Sequence, residues 1–133
     1  MKTEIAINVA ILGNMNVGKT SLTHRYAHPE REMTVEKIKT HGTDTISSYI
    51  TICGETVCKV RIWDTAGQEK HANIVGSYVK NLDACLIVFD LTDADSLASV
   101  HKWVKQLFQQ SSMPVVIVGN KSDLHSEREV STA

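Results

Sequence analysis

The stretch Gly13-Asn14-Met15-Asn16-Val17-Gly18-Lys19-Thr20 sets two glycines around four residues and follows them with a lysine and a hydroxyl. That spacing suits the binding of a phosphate chain. Glycines let a backbone turn tightly around an anion, and the N–H groups of the loop and of a following helix then converge on its oxygens. Donors of this kind run from Gly13 through Asn16, Val17 and Gly18 to Lys19, Thr20 and Ser21. The Lys19 ammonium adds a full charge, and the Thr20 hydroxyl is a hard ligand suited to Mg2+. With glycine at about 7% of average composition, the four fixed positions coincide by chance in roughly one chain in a few hundred of this length.

Two further clusters carry chemistry of the same kind. In Trp63-Asp64-Thr65-Ala66-Gly67-Gln68-Glu69, the Asp64 carboxylate can hold Mg2+ through water, the Gly67 N–H can reach a terminal phosphate, and Gln68 can orient a water. In Gly119-Asn120-Lys121-Ser122-Asp123-Leu124, the Asp123 carboxylate can accept from both the N1–H and the exocyclic amine of guanine. Adenine does not present that donor pair. Asn120 would brace the loop, and the Lys121 stem could lie over the purine ring. Taken singly, the second and third patterns are common polar turns. Their order and spacing after the first make a common site the better reading.

Each cluster must be placed by a strand end. Ile5 to Leu12, Ala84 to Asp90 and Val115 to Gly119 are short apolar runs of the type that forms buried parallel strands. The β-branched runs Thr45 to Ile52 and Thr56 to Trp63 flank Cys53-Gly54-Glu55 and read as a hairpin. A helix should begin at Lys19, continue past Tyr26 and stop at His28-Pro29-Glu30, whereas residues from about Glu30 to Gly42 are charged and irregular. A second helical pattern carries Leu97, Val100, Trp103, Val104 and Leu107, whose spacing predicts one core-facing stripe. Alternating β and α elements predict a doubly wound sheet with its ligands at the carboxyl ends of the strands.

The 133 residues, 42% apolar and 22% charged, describe one globular unit. Fourteen basic and fifteen acidic residues leave a net charge of −1, which supplies no global attraction to nucleic acid or an acidic membrane. Cys53, Cys58 and Cys85 lie among apolar neighbours and read as reduced, buried thiols of a cytosolic protein. Their spacing is wrong for a zinc knuckle. No targeting or membrane-spanning segment is visible, and Glu129-Val130-Ser131-Thr132-Ala133 holds no cysteine for a prenyl anchor.

These motifs resemble the Ras superfamily of small GTPases, and GKTSL, WDTAGQE, LIVFDLT and VGNKSDL are most similar to its Rab branch. The resemblance implies an α/β P-loop NTPase fold, a mostly parallel doubly wound sheet with one antiparallel hairpin. It implies GTP or GDP and Mg2+ as ligands, slow GTP hydrolysis with Lys19 and Gln68 as catalytic residues, and a role in vesicle trafficking or signalling. Guanine nucleotide would be bound by Gly13, Asn16, Val17, Gly18, Lys19, Thr20, Ser21, Gly67, Asn120, Lys121 and Asp123. Threading Thr40-His41-Gly42-Thr43-Asp44 onto the family's TxGxD element makes Thr40, rather than Thr43, the third metal-site residue beside Thr20 and Asp64.

Family members meet effectors, exchange factors and activating proteins through two switch segments, here around 30–45 and 64–80, which implies a cytoplasmic protein that reaches organelle membranes through partners. Several positions depart from the family pattern. Met15 and Asn16 stand where small residues are usual, so Met15 could crowd Gln68 or a partner's arginine finger. Thr45 and His71 replace two aromatic positions of the Rab effector face, while Trp63 remains, and Arg31 stands near where an aromatic ring would meet guanine. Residues 30–39 are densely charged, which predicts polar, salt-sensitive partner recognition. In the family a further strand and helix follow the last motif, whereas this sequence stops at Ala133, so the resemblance implies a single G domain over 1–133 that is C-terminally truncated, lacks the last strand and helix, and has an apolar edge strand prone to low stability or self-association. Two other functions compete: a guanine-nucleotide or partner-binding module without turnover, and a P-loop ATPase or kinase, which the Asp123 loop disfavours.

Overall fold

The computed structural model describes residues 3–29, 44–64, 81–110 and 112–132. Strand β1 (Thr3–Gly13) leads into helix α1 (Lys19–Ala27), followed by β2 (Asp44–Ile52) and β3 (Thr56–Asp64). Then come β4 (Ala84–Asp90), a short helix α2 (Ala94–Ala98), helix α3 (Val100–Gln110), β5 (Val115–Asn120) and a 3-10 turn over His125–Glu127. The strands form one sheet in the order β2-β3-β1-β4-β5. β1 runs parallel to both β3 and β4, β4 runs parallel to β5, and only the β2–β3 hairpin is antiparallel. The carboxyl ends of β1, β3, β4 and β5 therefore share one edge of the sheet, and each motif of the sequence begins there.

Strand alternation sends neighbouring residues of β1 to opposite faces. Ala10 and Leu12 join a buried cluster with Ile87, Val100, Trp103 and Leu107, whereas Ile11 joins Val17, Val60, Ile62 and Val88. Helix α3 supplies the first cluster, and Leu22 of α1 packs against the second. Both faces of β1 are consequently dry over its last four residues, Ala10 to Gly13, which is why that end can hold charged groups in one place. Leu107 is fully buried, and its truncation to alanine removes contacts worth about 2–5 kcal/mol.

Two expectations need correction. The helical pattern between β4 and β5 is broken at Ser99 into α2 and α3, and Leu97, on the first piece, is exposed. Val100, Trp103 and Leu107 remain buried and Val104 partly so, because they alone share the longer helix. Cys58 and Cys85 are buried, but Cys53 sits in the hairpin turn with φ 48 and is exposed. At the sheet edge formed by β5 among the described residues, Val116 and Ile117 are exposed.

Candidate functional site

The loop after β1 requires its glycines. Gly13 (φ +145) and Gly18 (φ +98) adopt backbone geometry that side chains disfavour. A Cβ on Gly13 would lie 2.2 Å from the Val88 carbonyl oxygen, and one on Gly18 would lie 2.3 Å from Asn120 Nδ2. Asn16 takes the left-handed conformation as well, at φ 67. Gly18 caps α1 without a side-chain hydrogen bond, and the helix has no acidic residue in its first turn. An anion at this end of α1 would meet the positive end of the helix dipole.

Lys19 is buried, and its ammonium donates to the carbonyls of Gly13 (2.6 Å) and Asn14 (2.7 Å). The cation is held over the loop by the loop's own backbone. Thr20 and Asp64, also buried, meet side by side, the Thr20 hydroxyl donating to Asp64 Oδ2 at 2.7 Å. A hydroxyl and a carboxylate at the rim of a phosphate loop are hard oxygen donors, a set that fits Mg2+. Ser21 follows in the first turn of α1 and is exposed. Thr40, Gly67, Gln68, Arg31 and His71 lie outside the described residues, as do most of the two switch segments.

The third cluster reaches back to the first. Asn120 Nδ2 donates to the Val17 carbonyl at 2.9 Å, and Lys121 Nζ donates to the Asn16 carbonyl at 2.7 Å. Lys121 has φ 68 and also pairs with Asp90 Oδ2 at 2.6 Å. Asp90 is fixed in turn by the backbone N–H and the hydroxyl of Thr92, at 2.8 and 2.6 Å. Burial by itself would raise the Asp90 pKa, but hydrogen bonds from Lys121 and Thr92 and the charge of Lys121 hold it below the usual aspartate value. Asp123 is exposed beyond this tie. Its carboxylate makes no hydrogen bond or ion pair among the described residues.

Sequence reasoning missed Asp90 and Asn14. Asp90 ends an apolar strand at the ligand edge, a position that marks a charged residue for attention. Asn14 uses its whole amide: Nδ2 donates to Ser99 Oγ at 2.9 Å, and Oδ1 accepts from Trp103 Nε1 at 3.2 Å. The one available signal was the tryptophan, since a buried indole N–H needs an acceptor.

On the hairpin, Thr45, Ser47, Arg61 and Trp63 line a cavity of about 470 Å3 together with Asn8, Asn81 and Leu82. Thr45 pairs with Trp63 across the strands, and the Trp63 indole donates to Asn8 Oδ1 at 3.3 Å. Among the described residues no helix is long and apolar enough to cross a membrane.

Comparison with known proteins agrees with the fold. The model of the Ras family matches residues 8–133. The chain is 36% identical to human Ras-related protein Rab-7b over 97% of its own length and 65% of that protein. It is 32% identical to the Ypt/Rab-type GTPase YPT7 of Saccharomyces cerevisiae, covering 93% of this chain and 62% of the relative. With dog Ras-related protein Rab-25 the identity is 37%, over 93% and 58%. The chain thus spans under two thirds of the length of these relatives.

Proposed function

The chain belongs to the Ras family, and from that membership we propose that it is a Rab-like guanine-nucleotide switch that binds GTP and GDP with Mg2+ and hydrolyses GTP slowly. One observation carries the reading. Lys121 and Asn120 of the base loop donate to Asn16 and Val17 of the phosphate loop, so the two loops form one site whose ligand has a base at one end and phosphates at the other. The 133 residues act as a single nucleotide-binding unit.

In this reading the phosphates lie on the N–H groups of the loop and the start of α1, and Lys19 meets the charge that develops during phosphoryl transfer. Thr20 and Asp64, with Thr40, would hold Mg2+, which when bound would supply neutralisation of phosphate charge. Gln68 aligns the attacking water, and the Gly67 N–H meets the last phosphate. Asp123 selects guanine. Effector, exchange factor and activating protein meet residues around 30–45 and 64–80, segments that border Thr45 and Trp63 of the hairpin cavity in sequence. The protein acts in the cytoplasm and joins organelle membranes in vesicle traffic through such partners.

Met15, half exposed at the loop tip, places a bulky side chain where water and an arginine finger must approach. It favours slow intrinsic hydrolysis and a weak response to activating proteins, since such a finger contributes roughly 10³ to 10⁵ in rate. The second reading, a guanine-nucleotide-binding module without turnover, rests on the same residue. The test is to identify the nucleotide bound to the purified chain and follow single-turnover hydrolysis of GTP and ATP with Mg2+, for the wild type and Met15→Gly. Guanine nucleotide with phosphate release, faster in the variant by about tenfold or more, supports the switch. Guanine without release in either protein supports the binding module, and adenine preference refutes both.

A further inference from the structure

Asn14 occupies the second position of the phosphate loop, and its side chain reaches into the junction of α2 and α3. Its two amide atoms each meet one residue there, Ser99 Oγ and Trp103 Nε1. Neither partner is loose. The Ser99 hydroxyl donates to the Asp95 carbonyl at 3.1 Å, and the Ser99 carbonyl accepts from the N–H groups of Lys102 and Trp103, which opens α3. Trp103 is buried among Ala10, Leu12, Cys85 and Leu107. At the other end of the same residue, the Asn14 carbonyl holds the Lys19 ammonium at 2.7 Å. One residue thus fixes the loop peptide that orients the phosphate lysine, and does so from a helix on one face of the sheet.

We infer that Asn14 is a positioning residue that couples Trp103 and Ser99 of the α2–α3 junction to the phosphate grip, so that the packing of α3 sets how long nucleotide stays bound. The inference rests on the guanine-nucleotide reading above. Its physical basis is the cost of reorienting the loop. An indole N–H has no second role and a buried one loses stability without an acceptor, so Trp103 holds the Asn14 amide in one orientation. A loop held in its binding geometry before the ligand arrives loses less on binding than one that must be ordered by it.

Asn14→Ala deletes both side-chain bonds. Trp103→Phe keeps an aromatic ring in the core and removes only the N–H, and Ser99→Ala, at a half-buried position, removes the other partner together with its hydrogen bond to the Asp95 carbonyl. The readouts are GDP dissociation rate and thermal midpoint for each variant and for the Asn14→Ala/Trp103→Phe pair. A third readout is the emission of Trp103 in a Trp63→Phe background, which leaves it the single tryptophan of the two in the chain. The expected result is GDP release about three- to tenfold faster in each single variant, the range one or two net hydrogen bonds supply. The double variant should be no faster than the quicker single one. Removing GDP should shift Trp103 emission in the Trp63→Phe protein, and Asn14→Ala should abolish that shift. Release rates within twofold of wild type, with lowered midpoints, reduce the contact to ordinary packing and overturn the inference, as do effects that multiply in the double variant. Absence of GDP binding by the wild-type chain refutes the nucleotide reading itself, an outcome distinct from normal binding with unaltered variants.

Discussion

The phosphate end and the base end of the site are built differently. At the phosphate end Lys19, Thr20 and Asp64 are buried to within 6% of full enclosure, and each is bonded to protein groups of the central strands or the loop. At the base end Asp123 stands exposed after β5, the edge strand of the described sheet. Asn120 and Lys121 tie it back to the phosphate loop. The difference assigns the energetics. On the proposed reading, a buried, prepositioned set of donors would supply affinity for any ligand with the right phosphates, and a single solvated carboxylate would supply choice among bases at little cost to the fold.

The largest effect should come from breaking the phosphate end. Lys19→Ala removes charge-assisted hydrogen bonds to phosphate, each worth about 1.5–3 kcal/mol, so calorimetry should show GDP affinity falling by roughly 100-fold or more. The loss should be the same for inosine diphosphate, because the base contacts are untouched. Breaking the base end should have the opposite signature. The wild type should prefer GDP over inosine diphosphate, which lacks the exocyclic amine, by about tenfold or more, and Asp123→Ala should bring the two affinities within about twofold while leaving the thermal midpoint unchanged. A lowered midpoint in that variant would remove the contrast drawn between the two ends.

The tie between the ends should respond less strongly. Asp90→Asn weakens the hold on Lys121, and a net loss of about 1–3 kcal/mol is expected in chemical denaturation, with faster GDP release. Because the folded Asp90 pKa lies below its ordinary 3.8, its contribution is complete above that value and is lost as pH falls through the lowered one. GDP release compared between wild type and Asp90→Asn should therefore give a constant ratio from pH 5 to 8.

The smallest effect concerns the thiols. Cys53 should label with a maleimide at neutral pH, and Cys58 and Cys85 only after unfolding. Burial pushes Cys85 up to about 12 from 9.0, so the folded form keeps its proton after the unfolded chain has lost it. That part of the stability is present below pH 9 and declines as pH rises toward 12. Denaturation midpoints at pH 8 and pH 10 check the sign.

Much of the site was legible because its chemistry is local. Gly13, Gly18, Lys19 and Thr20 stand in one loop, and their spacing states a turn around an anion before any tertiary contact is known. The doubly wound sheet could be read for a similar reason, since strands buried on both faces appear as continuous apolar runs such as Ala84 to Asp90. What escaped was set by distance along the chain. Asn14 and Trp103 are far apart in sequence, and nothing in a helical periodicity says that an indole N–H on the core face will find its acceptor in a phosphate loop. The break at Ser99 escaped because Leu97 continues the apolar spacing across it, and spacing does not register where a helix ends. Cys53 has the apolar neighbours of a core thiol, but a hairpin turn overrides them.

On the proposed function, the loops after β1 and β5 form one site for one guanine nucleotide. That claim is tested most directly by titrating the wild-type chain, stripped of nucleotide and supplied with Mg2+, with GDP, ADP and pyrophosphate in turn. The account predicts that GDP binds at least roughly 100-fold more tightly than ADP, the discrimination expected when a buried or loop-held acceptor meets the wrong donor set, and more tightly than pyrophosphate, which engages only the first loop. Equal affinities for GDP and ADP, or for GDP and pyrophosphate, would show that the base loop takes no part and would contradict the claim.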